Sequence, residues 1–299
     1  MEKKQTKENE ELKVVFSGSY EDTEAIRVLT VPDGIEEIAE NAFRSFCNLE
    51  EVILPRSVKR ISACAFAECK NLKRVVMQYG ITEILDEAFS SCSSLTEVSI
   101  PDSVSRIGEG CFEACASLSR VKMSESVAII GASAFAFCFN LTEITIPDSC
   151  VLIEFCAFSG CYSLEGVKLS NSMGLIDEST FEGCRSLKYV DLPTKLVKIG
   201  RRAFKGCSSL SSIILPVGTQ VIGFDAFADC SMLQRIAIPK EMREIEDLDV
   251  FSGCDSLKDI SFGGSRESFE VLTRGNAITV TKSDLTVFTP TVAFMNLDK

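Results

Sequence analysis

The chain has 299 residues, 45% of them hydrophobic and 25% charged, with a formal net charge of −12 at pH 7 and no histidine. That excess of acid argues against nucleic acid, whose phosphates need a basic footprint, and against anionic membrane surfaces. Without histidine there is no Ser-His-Asp or Cys-His nucleophile arrangement and no commonest general base, so an enzyme is not expected.

Residues 1–12 are charged and polar with little to bury, and they read as a disordered tail. The opening MEKKQTKENEELK has no apolar signal-peptide core, so the chain as it stands is expected in the cytoplasm. No apolar run approaches a spanning length, and no membrane insertion is expected. Val14, Val15 and Phe16 are expected to open an N-terminal cap, tail and cap together filling residues 1–24.

From about Ile26 to Ser256 the chain repeats. Phe43, Phe66, Phe89, Phe112, Phe135, Phe158, Phe181, Phe204 and Phe227 each follow the last by 23 residues, and Phe251 follows after 24. A fixed period of this length predicts a solenoid of stacked coils, here over residues 25–256. Leu95 to Ser117, LTEVSIPDSVSRIGEGCFEACAS, shows the unit most clearly. Leu95, Val98 and Ile100 end in period-two alternation, which suits a short strand. Pro101 stops it, because proline lacks the ladder donor, and the same position holds Pro32, Pro55, Pro147, Pro193, Pro216 and Pro239. Val104 and Ile107 form a second apolar pair, expected on another side of the coil. Gly108, with Gly131, Gly200 and Gly223 in register, marks a bend. A short helical turn is then expected to carry Ala and Phe inward. At roughly 4.8 Å per coil, ten coils make a rod about 48 Å long.

Nine of the 14 cysteines share one repeat position: Cys69, Cys92, Cys115, Cys138, Cys161, Cys184, Cys207, Cys230 and Cys254. The first repeat has Phe46 there, so the position reads as core and the cysteines as small buried hydrophobes. Close pairs, which zinc sites favour, are limited to Cys64/Cys69, Cys111/Cys115 and Cys156/Cys161, and no metal or other cofactor is expected. Asn140-Leu141-Thr142 matches a glycosylation acceptor, but Leu141 occupies a core position. Glu246, Asp247 and Asp249 bulge at the extra residue of the tenth copy and read as a solvated loop, since no spaced calcium loop accompanies them. Residues 257–299 are expected to form a C-terminal cap: a helix from Ser265 through Leu272 ending at Gly275, then a hairpin of Ile278–Thr281 and Leu285–Phe288 around Lys282-Ser283-Asp284.

Stretches such as IPDSVSRIGEGCFEACASLSRV, in ten in-register copies over about 230 residues, resemble the BspA-like leucine-rich repeat family. The resemblance implies a leucine-rich-repeat solenoid of parallel β coils with short helical turns, about ten repeats of 23 residues plus terminal caps. It also implies binding to other proteins, often as an adhesin, and so a cell-surface or secreted location.

Any binding must use the outward positions. One first-strand row runs Glu51, Arg74, Glu97, Arg120, Glu143, each charge expected between two of opposite sign, which reads as electrostatic register between coils. The row then turns to Gly166, Tyr189, Ser212 and Arg235, and the adjacent row runs Lys168, Asp191, Ile214 and Ala237. Tyr189, Ile214 and Ala237 are therefore candidate partner anchors, with an isolated exposed tyrosine as the alternative for Tyr189. A second-strand row begins Glu37, Arg60, Glu83, Arg106 and turns apolar at Ile129, Leu152 and Leu175, with Ala128 and Val151 beside them, before Lys198, Val221 and Glu244. Those three leucine and isoleucine positions are either a patch for a partner or for self-association, or positions turned inward. The functional expectation is a non-enzymatic protein-binding solenoid, with a structural or self-assembling scaffold as the alternative, and redox or metal chemistry in the cysteine column behind both.

Overall fold

The computed structural model describes residues 14–15, 25–247, 249–274, 278, 280–282 and 287–294. The expected tail, Phe16, Gly275 and the Ser283-Asp284 turn lie outside these. The repeats wind as a parallel β-solenoid, each coil holding a first strand of three or four residues and a second strand of two. In the fourth coil these are Glu97–Ser99 and Arg106–Ile107, and the coil closes on Phe112. Alternation fixes which side chains go in: Val98, Ile100, Val104 and Ile107 are buried while Glu97, Ser99 and Arg106 face out.

The second strands stack in two blocks. Val14–Val15, Glu37–Ile38 and their successors to Leu152–Ile153 form one parallel sheet of seven strands, and Leu175–Ile176 to Glu244–Ile245 form another of four. The first strands form four blocks, interrupted after Arg74–Met77, after Arg120–Lys122 and after Tyr189–Asp191.

The phenylalanine column is the spine. All ten rings are fully buried. From Phe43 to Phe227 adjacent rings stack with centroids 5.3–5.7 Å apart and planes within 13°. At Phe251, after the inserted residue, the step widens to 6.0 Å and 20°.

The segment that carries each ring inward is not helical, contrary to expectation. Each of the first nine coils sets two residues four apart at positive φ, as Cys64 (53°) and Glu68 (62°), or Cys156 (56°) and Gly160 (71°). That geometry breaks a helical run and aims every second peptide along the solenoid axis. The N–H groups of Cys64, Phe66 and Glu68 donate to Asp86, Ala88 and Ser90 of the next coil at 2.9, 2.8 and 2.7 Å. The carbonyls of Ala63, Ala65 and Ala67 accept from Asn41, Phe43 and Ser45 of the coil before, at 3.0, 2.8 and 2.7 Å. Peptide dipoles thus stack head to tail. The repeated bonds offset the roughly 1–2 kcal/mol that a left-handed conformation costs a residue other than glycine. The glycines at the Gly108 position have another reason: a Cβ at Gly131 would lie 2.7 Å from the Glu109 backbone nitrogen, so these coils approach too closely for a side chain.

The cysteine column adds a further ladder. Each column thiol donates to the carbonyl of the phenylalanine one coil earlier, from Cys69 to Phe43 at 3.0 Å through Cys161 to Phe135 at 3.2 Å to Cys254 to Phe227 at 3.0 Å. The position is core, as expected, and it is also hydrogen-bonded.

After the tenth coil, Asp259–Phe262 continues the first-strand side and Thr291–Phe294 pairs parallel beyond it. A helix, Arg266–Leu272, starts at the Ser265 hydroxyl, which accepts from the Ser268 N–H, and Phe269 packs between Phe262 and Phe294 at 5.2 and 5.8 Å. Val280–Thr281 pairs antiparallel with Val287–Phe288.

Candidate partner-binding surfaces

The first-strand charge row closes pairwise rather than as a continuous ladder. Arg74 meets Glu51 at 3.1 Å and Arg120 meets Glu97 at 2.7 Å. Neither cation bonds the next carboxylate, because the sheet parts after each of these strands. With each pair open to solvent on at least its arginine side, such pairs contribute about 0–1 kcal/mol each. Charge pairing also continues past the fifth coil at other positions, as Lys188–Glu165 (2.8 Å) and Lys205–Asp225 (2.8 Å). Where Arg120–Lys122 and Glu143–Thr145 part, a groove of about 710 Å³ opens, lined by Arg120, Lys122, Glu143, Thr145 and Lys168. Both charge signs line it.

Tyr189 is 52% exposed. Its ring lies flat over Gly166 of the preceding coil, where any Cβ would overlap it, and its hydroxyl reaches Glu143 two coils away at 3.5 Å. The residue therefore covers a bare stretch of sheet, and it reaches away from Ile214, which stands across the interruption after Tyr189–Asp191. Ile214 and Ala237 are brought together as direct cross-strand neighbours. Ile214 is 77% exposed, and with Ala237, Pro239 and Val217 it lines an apolar cleft of about 200 Å³. Val217, 71% exposed, was not singled out from the sequence. The available signal was position: it follows the strand-ending proline, where other coils carry Asp33, Arg56, Asp102 or Lys240.

On the second-strand side, Ile129 pairs in register with both Arg106 and Leu152, so it faces outward as the charged residue does. Its inward neighbours Ile130, Ile153 and Ile176 fill the core, and the inward-turned reading is excluded. Ile129, Leu152 and Leu175 are half-buried among one another's coils. Val151, Phe155 and Val197 extend the apolar area, exposed by 57, 50 and 43%.

A third cluster escaped the sequence reading. Phe139 and Tyr162 stack at 4.9 Å, Phe137 meets Phe139 edge-on at 6.3 Å, and Arg185 sits 4.7 Å from the Tyr162 ring. Phe137 holds φ +59° where the next three coils have glycine, and its ring covers Gly160. The run FAFCF, which breaks the polar pattern after the column phenylalanine, was the signal. These ring faces are largely used on one another.

Nothing in the cysteine column prepares it for chemistry. Burial pushes the Cys115 and Cys161 thiols up to about 12, so they stay protonated. Among the described residues no group of three or more cysteine, aspartate or glutamate side chains converges as a metal site.

The family model for the BspA type leucine rich repeat region matches this chain in 6 copies, over residues 36–165 and 151–273. Similar solved structures include a leucine-rich cell surface protein from Faecalibacterium prausnitzii, 29% identical, with a TM-score of 0.44 over 82% of this chain and 81% of that one. A leucine-rich repeat protein from Bacteroides ovatus is 25% identical, with a TM-score of 0.49 over 94% and 87%. The T. pallidum leucine-rich repeat protein is 29% identical, with a TM-score of 0.47 over 62% and 78%. No curated protein matches.

Proposed function

This chain belongs to the BspA-type leucine-rich repeat family, and from that premise we propose that it is a non-enzymatic binding protein that holds another protein on its first-strand side. The observation that carries this is the cleft lined by Ile214, Val217, Ala237 and Pro239. Two strongly exposed aliphatic side chains flank a recess that is itself apolar, the form taken by a pocket for a partner's anchor residue. Tyr189 and the mixed-charge groove by Lys168 lie along the same side and would form a polar rim. The family resemblance adds display at a cell surface, which protease added outside intact source cells would test.

Pull-down from extracellular matrix and from cell lysate, with the parent and with Ile214→Lys side by side, tests the binding. The proteins retained by the parent should be lost from the variant while its circular dichroism is unchanged. Equal retention by both removes the cleft.

A further inference from the structure

The second-strand side carries a row, Arg106 to Glu244, whose two halves are complementary about its middle. Arg106 in the fourth coil and Glu244 in the tenth bound the apolar stretch. Both are exposed, and neither has an ion pair among the described residues. That sets them apart from their own row, where Arg60 pairs with Glu83, Glu37 accepts from the Ser62 hydroxyl and Lys198 reaches Glu246 at 3.1 Å. Midway between them lies Leu175.

We propose that this face binds a second copy of the chain, in a dimer whose two-fold axis lies in the interface, parallel to the strands, at the level of Leu175. Such an axis sets each coil against the coil equally far beyond the seventh, in the same row. Arg106 then faces Glu244, Ile129 faces Val221, and Leu175 faces its own copy. Leu152 meets the aliphatic stem of Lys198, whose ammonium is drawn aside to Glu246. In the adjoining row Val151 faces Val197. Ile129, Leu175 and Val151 meet apolar groups, Leu152 meets a methylene stem, and the two unpaired ions each find an opposite charge.

Six coil steps of roughly 4.8 Å, one of them across the parting between Leu152–Ile153 and Leu175–Ile176, by five residues of roughly 3.3 Å give a face of about 29 by 16 Å. That is smaller than the roughly 800 Å² per partner of a standard interface. Monomer and dimer are therefore in concentration-dependent exchange, and the first-strand cleft stays free in both.

Sedimentation over a concentration series tests this with Arg106→Glu, Glu244→Arg and the double reversal. Within one chain the two residues are about 29 Å apart on the same coil spacing, so only a partner can couple them. The parent should show a concentration-dependent dimer. Each single reversal spoils two symmetric contacts and should weaken it by about tenfold or more, and the double reversal should restore parental association. Circular dichroism checks the fold of each. A parent that stays monomeric, a dimer indifferent to the reversals, or a double variant no better than the singles each overturns the proposal.

Discussion

Cys161 shows what one residue does in this architecture. Its side chain fills a core position, and its thiol donates to the Phe135 carbonyl one coil back. The core role was legible in the sequence, because the first repeat has Phe46 at that position. The bond was not, since it depends on where the neighbouring coil puts a carbonyl. Burial has a measurable consequence. An unfolded thiol ionises near its ordinary 9.0, whereas folded Cys115 and Cys161 do so only at about 12, and Cys92, Cys138 and Cys184 are also pushed well up. The folded chain retains protons that the unfolded chain releases. The contribution is therefore fully present below about pH 9 and is lost as pH rises toward about 12. Alkaline titration should show the thiolate absorbance of the nine column cysteines rising together with loss of the β signal in circular dichroism. Thiolate in excess of the five cysteines outside the column, appearing while that signal stays native, would mean the column is open to solvent.

The element most misread from the sequence is the turn that bears the phenylalanine. Ala-Phe-x-x-Cys places its inward residues three apart, a spacing that a helical turn also produces. What distinguishes the two is the pair of positive φ values in each of the first nine coils, and residues such as Glu68, Ser133 or Arg202 give no sign of them. Once ten copies stack, each peptide finds its partner in the next coil, and the stack supplies what a single turn lacks. Strand neighbours show similar dependence. Tyr189 looked like a free anchor because its row had lost its charges, yet it lies on Gly166. Gly166→Ala should lift the ring and destabilise the fold. Tyr189→Ala alone should change stability by less than about 1 kcal/mol, as an exposed site does. In a double-mutant cycle the two changes should be coupled by at least about 0.5 kcal/mol, because the alanine methyl is harmless once the ring is gone. Additive losses would show that the ring does not rest there in solution.

At the scale of the molecule, period, core columns and charge alternation are linear patterns, so the solenoid could be read from them. Interruptions in the strand ladder could not, nor could reaches across two coils such as Lys198 to Glu246, or the Phe139–Tyr162 stack between neighbouring coils. Each depends on small displacements between coils that leave the repeat unit unchanged. One displacement does have a sequence cause. The extra residue before Phe251 widens the ring step to 6.0 Å and tilts it by 20°, and the following turn is held through Asp229 N–H to Ser252 and Ser252 N–H to Asp249. In a repeat array stability is close to a sum of coil terms and nearest-neighbour interfaces, so the poorest interface is where the array opens first. Native-state hydrogen exchange should therefore find the amides of Glu244 to Phe262 exchanging through a lower-energy opening than those of the third to eighth coils. Because the Phe181–Phe204 step is regular at 5.5 Å, the boundary should fall near Phe227 and not earlier. Uniform protection from Phe66 to Phe262, or first opening in the middle of the column, would show that the inserted residue leaves coupling between coils intact.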